Sequence, residues 1–385
     1  MIKVAFFLDF PLSYNGGVNY FKNVFFALNS FYKDKLEIIL FVPSNIEDKD
    51  LSPFKHSSKI IKTNVLRRKS LSWFISKLFQ KLINYDLLKK KIVSDANIDI
   101  VFYCNNFINL GSKIKYVNWI PDFQFLHYPQ YWNEKQLKIE KNLIKKGFKN
   151  SDIVVLSSKD SLNDFLKINK TPSNKVKVIN FVSQIDNNLY SNFNNLNKYS
   201  KDQFFYLPNQ FWIHKNHLTV FKAVKILLEK NIEIKLLCSG VMKDFRSKDK
   251  YIYKLLKYVG ENNLKNNIIF LDVIPYEHVL GLIKKSIAVI NPSFFEGWSS
   301  TVEESKSLDK TIILSDIPIH REQNPAKGIF FNPNDPNELS KILKKLINSP
   351  PIFNFNHRKI EKKLKKRTKV FAEKYYEIFD ELSKK

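Results

Sequence analysis

Short apolar runs alternate with stretches of helical periodicity along this chain, and the alternation breaks off once and then begins again. In the first half, strand-length runs fall at residues 3–10, 36–42, 59–65, 98–104, 116–119, 152–157 and 176–181. Helical patterns occupy 18–31, 71–93, 134–148 and 159–168. Strands separated by helices pair in parallel and build a doubly wound sheet. Residues 186–198 are polar and rich in Asn, as a connecting segment is. Beyond them, strands at 204–207, 233–237, 268–271, 287–290 and 311–314 alternate with helices at 218–230, 251–262 and 276–285. Phe330 and Phe331 end a last strand before a helix at 337–347. The expectation is two consecutive α/β domains, 1–187 and 203–367, joined by a linker at 188–202. Ligands of such sheets bind off the carboxyl ends of the strands, near a reversal of strand order. Two such domains facing one another make a cleft for two substrates.

Composition narrows the class. A chain of 385 residues with 44% apolar content has material for two packed cores. Cys104 and Cys238 stand far apart in apparent strands, which suits buried free thiols in a reducing cytoplasm. The opening Met1-Ile2-Lys3-Val4-Ala5-Phe6-Phe7-Leu8-Asp9 is too short in its apolar run for a signal peptide and reads as a first strand. No stretch approaches the roughly 20 apolar residues of a membrane span, so a soluble or peripheral protein is expected. The net charge is +26, and residues 55–91 hold eleven Lys and Arg against one acid, Asp86. Within that span Trp73, Phe74, Leu78, Leu82 and Ile83 recur at helical spacing among lysines. Two readings stand: a basic amphipathic helix able to lie on an anionic leaflet, or a helix packed on its own sheet with a solvated Lys face. No recognition motif accompanies the charge, so nucleic acid is not an expected partner.

The run with most chemical content is Asn291-Pro292-Ser293-Phe294-Phe295-Glu296-Gly297-Trp298-Ser299-Ser300-Thr301-Val302-Glu303-Glu304-Ser305. It follows an apolar strand, and Ser299 and Ser300 can start a helix whose free N–H groups attract a phosphate. Glu296 then lies on the loop and Glu304 about a turn inside the helix. Carboxylates repel phosphate, so their partners are hydroxyls of a sugar or ribose. The alternative is an ordinary helix with Glu303 and Glu304 on its exposed face. With Glu296, Gly297 and Glu304 in the E-G-x6-E arrangement, the chain resembles the retaining GT-B glycosyltransferases of glycosyl transferases group 1, or family 4, particularly those of bacterial cell-surface polysaccharide and O-antigen synthesis.

The resemblance extends through both domains and implies two Rossmann-like domains across a cleft. It places Gly16 and Gly17, in Phe10-Pro11-Leu12-Ser13-Tyr14-Asn15-Gly16-Gly17-Val18, against the donor phosphate and sugar. By residue type alone the same pair is a plain turn, and the G-x-G-x-x-G pattern of dinucleotide binding is absent. Lys215 looks like the family's phosphate-binding Lys, while Gln210 stands where the family has an Arg and removes one charge from the site. Trp119-Ile120-Pro121-Asp122-Phe123-Gln124-Phe125-Leu126-His127 resembles a stretch of the polysaccharide enzymes. It implies Asp122 and His127 as acceptor contacts, with His127 toward the transferred sugar. The resemblance also covers Ser315-Asp316-Ile317-Pro318-Ile319-His320-Arg321-Glu322, with Asp316 orienting a loop and Glu322 reaching the cleft. It sends the tail, 368–385, back onto the first domain, with Tyr375, Ile378 and Phe379 on the packing face.

The activity so implied is transfer of a sugar from a nucleotide-diphosphate-sugar to a glycan or lipid-linked acceptor, with retention and no metal or other cofactor. Lys215 and the helix N-termini near Gly17 and Ser299 would stabilise the departing diphosphate. Glu296 would hold sugar hydroxyls and Glu304 the ribose diol, with Gly297, Trp298, Ser299 and Ser300 around them. His127, Lys215 and Glu296 form the expected catalytic set. His214 and His217 are read as packing at a helix start, and Asp48-Lys49-Asp50 as a solvated charge run, so no metal site is expected. The expected place is the cytoplasm, peripheral to the inner face of the membrane. Two other functions share the fold: a sugar-nucleotide epimerase, and a non-catalytic basic membrane adaptor.

Overall fold

The computed structural model describes residues 1–12, 14–104, 107–169, 173–185, 196–244, 250–352 and 356–385. They form two compact units, Met1–Leu126 with Asn133–Val182 and Lys365–Lys385, and His127–Trp132 with Ser183–Leu364.

In the first unit seven strands, β1 (Ile2–Phe7), β2 (Leu36–Pro43), β3 (Lys59–Thr63), β4 (Ile100–Cys104), β5 (Lys115–Ile120), β6 (Ile153–Leu156) and β7 (Val176–Val178), form one sheet. Its order is β3-β2-β1-β4-β5-β6-β7, and every adjacent pair is parallel. Helices α1 (Asn15–Tyr32), α2 (Leu71–Ile83), α3 (Leu87–Asp95), α4 (Gln124–His127), α5 (Glu134–Asn150) and α6 (Lys159–Asn169) connect the strands. The period of two along β1 divides its side chains between two layers. Phe6 stacks on Phe102 at 4.7 Å and meets Phe21 and Phe25 of α1 edge-on at 5.2 and 4.8 Å. Ala5 and Phe7 go to the opposite face, where Val93 of α3 covers them.

The helix expected at 71–93 is two helices. Asn84 sits at φ 52° in the left-handed region that ends a helix, and the buried Asp86 carboxylate restarts one by accepting from the Lys89 N–H at 3.0 Å. Helical periodicity ran through the break because Leu87 and Ile92 keep the apolar count.

The second unit has six parallel strands, β8 (Phe205–Leu207), β9 (Leu236–Cys238), β10 (Ile268–Phe270), β11 (Val289–Asn291), β12 (Ile312–Ser315) and β13 (Gly328–Phe331), ordered β10-β9-β8-β11-β12-β13. Its helices are α7 (His217–Leu228), α8 (Lys250–Glu261), α9 (Tyr276–Lys285), α10 (Ser300–Ser307), α11 (Pro318–Gln323) and α12 (Pro336–Asn348). A final helix, α13 (His357–Ser383), crosses the division between units at 364 and 365. Within the first unit its Phe371, Tyr375, Ile378 and Phe379 are buried, and the Tyr375 hydroxyl bonds to that of Tyr20.

The units divide at 182 and 183, whereas the sequence suggested 187. Ser183 belongs with the second unit because its carbonyl accepts from the Ser307 hydroxyl at 2.9 Å. Of the expected linker 188–202, residues 188–195 lie outside the described residues. Leu196–Lys198 is a short 3-10 turn, and the Tyr199 hydroxyl reaches His278 Nδ1 at 2.7 Å within the second unit. Cys104 and Cys238 are buried free thiols, one in each unit.

Candidate functional site

Strand order in the second unit reverses between β8 and β11, so the loops that leave their carboxyl ends diverge and open a crevice. The loop after β8 carries Asn209, Gln210 and Lys215, and the loop after β11 carries Ser293, Glu296 and Ser299. Asn209 Nδ2 donates to Asn291 Oδ1 at 3.0 Å and ties the two loops together at their roots.

Lys215 Nζ donates to both oxygens of Glu296, at 2.8 and 2.7 Å, and the side chains are only 13% and 9% exposed. Ser293 Oγ donates to Glu296 Oε1 at 2.7 Å. Burial by itself raises the Glu296 pKa, but Lys215, His320 and the Ser293 hydroxyl outweigh it and hold the carboxyl below its ordinary value. The Glu296 carboxyl is therefore ionised at neutral pH. The sequence reading gave Lys215 and Glu296 separate partners, whereas the fold makes them partners of each other.

Ser299 caps α10, accepting from the Val302 N–H, and receives the Asn291 amide at 2.8 Å. Gln323 of α11 clasps the same residue, accepting from the Ser299 N–H at 3.1 Å and donating to its carbonyl at 3.0 Å. Glu304, one turn into α10, accepts from the Tyr276 hydroxyl at 3.0 Å. Glu303 and Glu304 are 1% and 6% exposed, so the alternative of an exposed acidic face does not hold. Glu303 binds Lys306 at 2.9 Å, and Lys306 lies 5.9 Å from the Trp298 ring. Gly297, Trp298 and Ser300 are half-buried around this start. Gln210 Oε1 accepts from the Val241 N–H at 2.7 Å, so the side chain braces the loop after β9.

His127 belongs to the second unit, its ring 4.8 Å from that of Phe295, the residue before Glu296. Asp122 lies in the first unit, exposed, and accepts from the Gln124 N–H at 2.9 Å. Gly16 and Gly17 begin α1 in that unit, and the Tyr14 ring lies over them. A Cβ on Gly17 would come within 2.6 Å of that ring. Their bare backbone is thus occupied by an aromatic face. Asp316 forms a two-pronged pair with Arg321, both bonds 2.6 Å, which orients the start of α11. Among the described residues no group of three or more His, Cys, Asp or Glu could hold a metal.

Three residues of this site had no role assigned from the sequence. His320 is fully buried, its Nδ1–H donates to the Ser315 carbonyl at 2.9 Å, and burial lowers its pKa. Gln323 and Tyr276 hold Ser299 and Glu304. The signal available was Pro318, which opens a helix and sets His320 and Gln323 at its inward turn.

His217 stacks on Phe211 at 4.4 Å, and burial pushes its pKa down to about 3. The folded state holds it neutral while the unfolded chain titrates near 6.5. Stability from this group is complete above 6.5 and falls as pH drops toward 3, by about 1.4 kcal/mol per pH unit. A His217→Phe variant is expected to lose that part of the acid slope in denaturant titrations from pH 7 to 4. Parallel profiles for the two proteins would refute the assignment.

The two doubly wound parallel sheets, with a site at the switch point of the second, are the GT-B architecture of glycosyltransferases, and the chain is of that fold. Residues 190–369, a little under half of it, match the family Glycosyl transferases group 1. Over 240 residues, 62% of this chain, it is 23% identical to the O-antigen chain mannosyltransferase RfbU of Salmonella typhimurium, and the match spans 63% of that protein. Anabaena HepE, solved with UDP and glucose, superposes with a TM-score of 0.71 at 14% identity, covering 99% of this chain and 100% of its own. A glycosyltransferase of Rickettsia africae does so at 0.68 and 16% identity, covering 99% and 98%.

Proposed function

We propose that this protein is a retaining glycosyltransferase. It moves a sugar from a nucleotide-diphosphate-sugar to a hydroxyl of a growing, lipid-linked cell-surface glycan, at the inner face of the membrane. The first unit serves the acceptor and the second the donor. The observation that carries the reading is the Lys215–Glu296 pair beside the capped start of α10, at the β8/β11 switch point.

The bond from the anomeric carbon to the phosphate oxygen breaks as a diphosphate departs. Lys215 and the first N–H groups of α10 supply fixed positive charge where that negative charge develops. A donor diphosphate draws the Lys215 ammonium away from Glu296, which frees the carboxylate to accept from sugar hydroxyls. Glu304, held by Tyr276, takes the ribose diol. His127 faces the transferred sugar, and Asp122 takes acceptor hydroxyls. The leaving phosphate oxygen receives the acceptor's proton. Gln210 braces a loop and does not replace the missing arginine charge. Gly16 and Gly17 admit a ligand to their backbone once the Tyr14 ring moves. The charge on the diphosphate is met by protein groups, so the reaction needs no metal. The family match over 190–369 and the similarity to RfbU support a glycan acceptor.

Thermal shift against UDP, GDP, dTDP and their sugar conjugates tests this reading. At 100 times its dissociation constant a donor adds about 2.7 kcal/mol of stability. One nucleotide class should raise Tm in the wild type and not in Lys215→Ala, and EDTA should change neither the rise nor turnover. No rise with any nucleotide would overturn the donor site. Nucleotide release from a bound conjugate without a glycan acceptor would assign the epimerase reaction instead.

A further inference from the structure

Helix α2 turns Ser76 and Gln80 toward the protein, keeps Trp73, Ile75 and Phe79 half-buried, and leaves a stripe of large apolar side chains exposed. Ser76, 1% exposed, donates to Asp86 Oδ2 at 2.6 Å, and Gln80 Nε2 reaches the same oxygen at 2.6 Å. Asp86 itself is fully buried. Leu71, Phe74, Leu78 and Leu82 are 76%, 55%, 54% and 69% exposed. Steps of three, four and four residues set these four on one stripe, roughly opposite Ser76 and Gln80. A helix that serves only its own core is arranged the other way round.

The stripe's rim is basic. Arg67, Arg68 and Lys69 precede the helix, Lys77 and Lys81 lie on it, and all five are exposed. No acid occurs between Asp50 and Asp86. A second copy of this chain, at +26, would bring the same positive rim to the contact. An anionic surface with an apolar layer beneath complements both features at once.

We propose that α2 docks the protein on an anionic lipid bilayer. Leu71, Phe74, Leu78 and Leu82 enter the boundary between headgroups and acyl chains, and the five basic residues meet lipid phosphates. The Asp86 network orients the helix for this by holding its polar side on the protein. The inference rests on the lipid-linked acceptor reading for its purpose, and the binding itself is independent of turnover.

Flotation of the full chain is measured with phosphatidylcholine vesicles and with vesicles that also contain phosphatidylglycerol. Binding is expected with the mixed vesicles and at least about tenfold less with phosphatidylcholine alone. Lys77→Glu/Lys81→Glu and Phe74→Ser/Leu78→Ser should each weaken it by at least about tenfold. Both variants should keep the wild-type circular dichroism spectrum and any nucleotide-induced shift, since they change exposed side chains. Failure of the wild type to float, or floating of both variants like the wild type, overturns the proposal. So does a dimer that Phe74→Ser/Leu78→Ser dissolves, which would give the stripe to a second copy. Vesicle binding without a nucleotide-induced shift would leave this inference standing while the donor site fell.

Discussion

Lys215→Met is expected to remove about 3 kcal/mol of stability and to slow sugar transfer by about 10²–10³-fold. The first figure follows from leaving the Glu296 carboxylate buried without its cation. The second follows from removing one preorganised positive group from the leaving diphosphate. The two losses separate in the double variant Lys215→Met/Glu296→Gln. With no charge left to bury, stability should return nearly to the wild-type level, while transfer stays lost. Urea midpoints and single-turnover rates measure both. In Lys215→Met alone, burial raises the Glu296 pKa, so the stability deficit should shrink as pH falls and the carboxyl takes up a proton. A single variant as stable as the wild type would show that the pair is not coupled. Restored transfer in the double variant would take Lys215 out of the reaction.

Tyr375→Ala should cost about 4 kcal/mol, and Tyr375→Phe only about 1–2 kcal/mol. Tyr375 is fully buried in the first unit, its ring 5.9 Å from Phe102 and 5.5 Å from Phe371. Its hydroxyl meets that of Tyr20, which stacks on Trp119. The Ala variant loses the ring contacts, opens a cavity and strands the Tyr20 hydroxyl. The Phe variant keeps the packing and loses only the hydroxyl pair. Equal destabilisation by the two, read from denaturant midpoints, would mean that the hydroxyls and not the rings hold α13 to this unit.

Much of the fold was legible because strand and helix periods differ and buried parallel strands are apolar throughout. β4 is buried at all five of its residues, and its run from Ile100 to Cys104 reads as a strand without help. Helix α12 shows its start in Asp335, which accepts from the Asn337 and Glu338 N–H groups. The break in the 71–93 helix was harder to see. Its two causes, a left-handed Asn84 and a buried Asp86, are single polar residues that a periodic count passes over.

The candidate site was legible in part, for a related reason. Lys215, Glu296 and Glu304 stand at strand-to-helix junctions, where residue type and spacing carry meaning. Tyr276, His320 and Gln323 support them from α9 and α11, and no local spacing links those helices to α10.

The sequence alone determined two parallel α/β units and the places where their loops carry chemistry, because secondary structure follows local periodicity. Only the tertiary structure decided that Lys215 and Glu296, 81 residues apart, are one buried ion pair. It also decided that the polar side of α2 faces the protein while its leucines face outward. A pattern shows that a helix has two faces. Which face turns inward depends on the partner it finds, here the carboxylate of Asp86, and sequence order does not specify that contact.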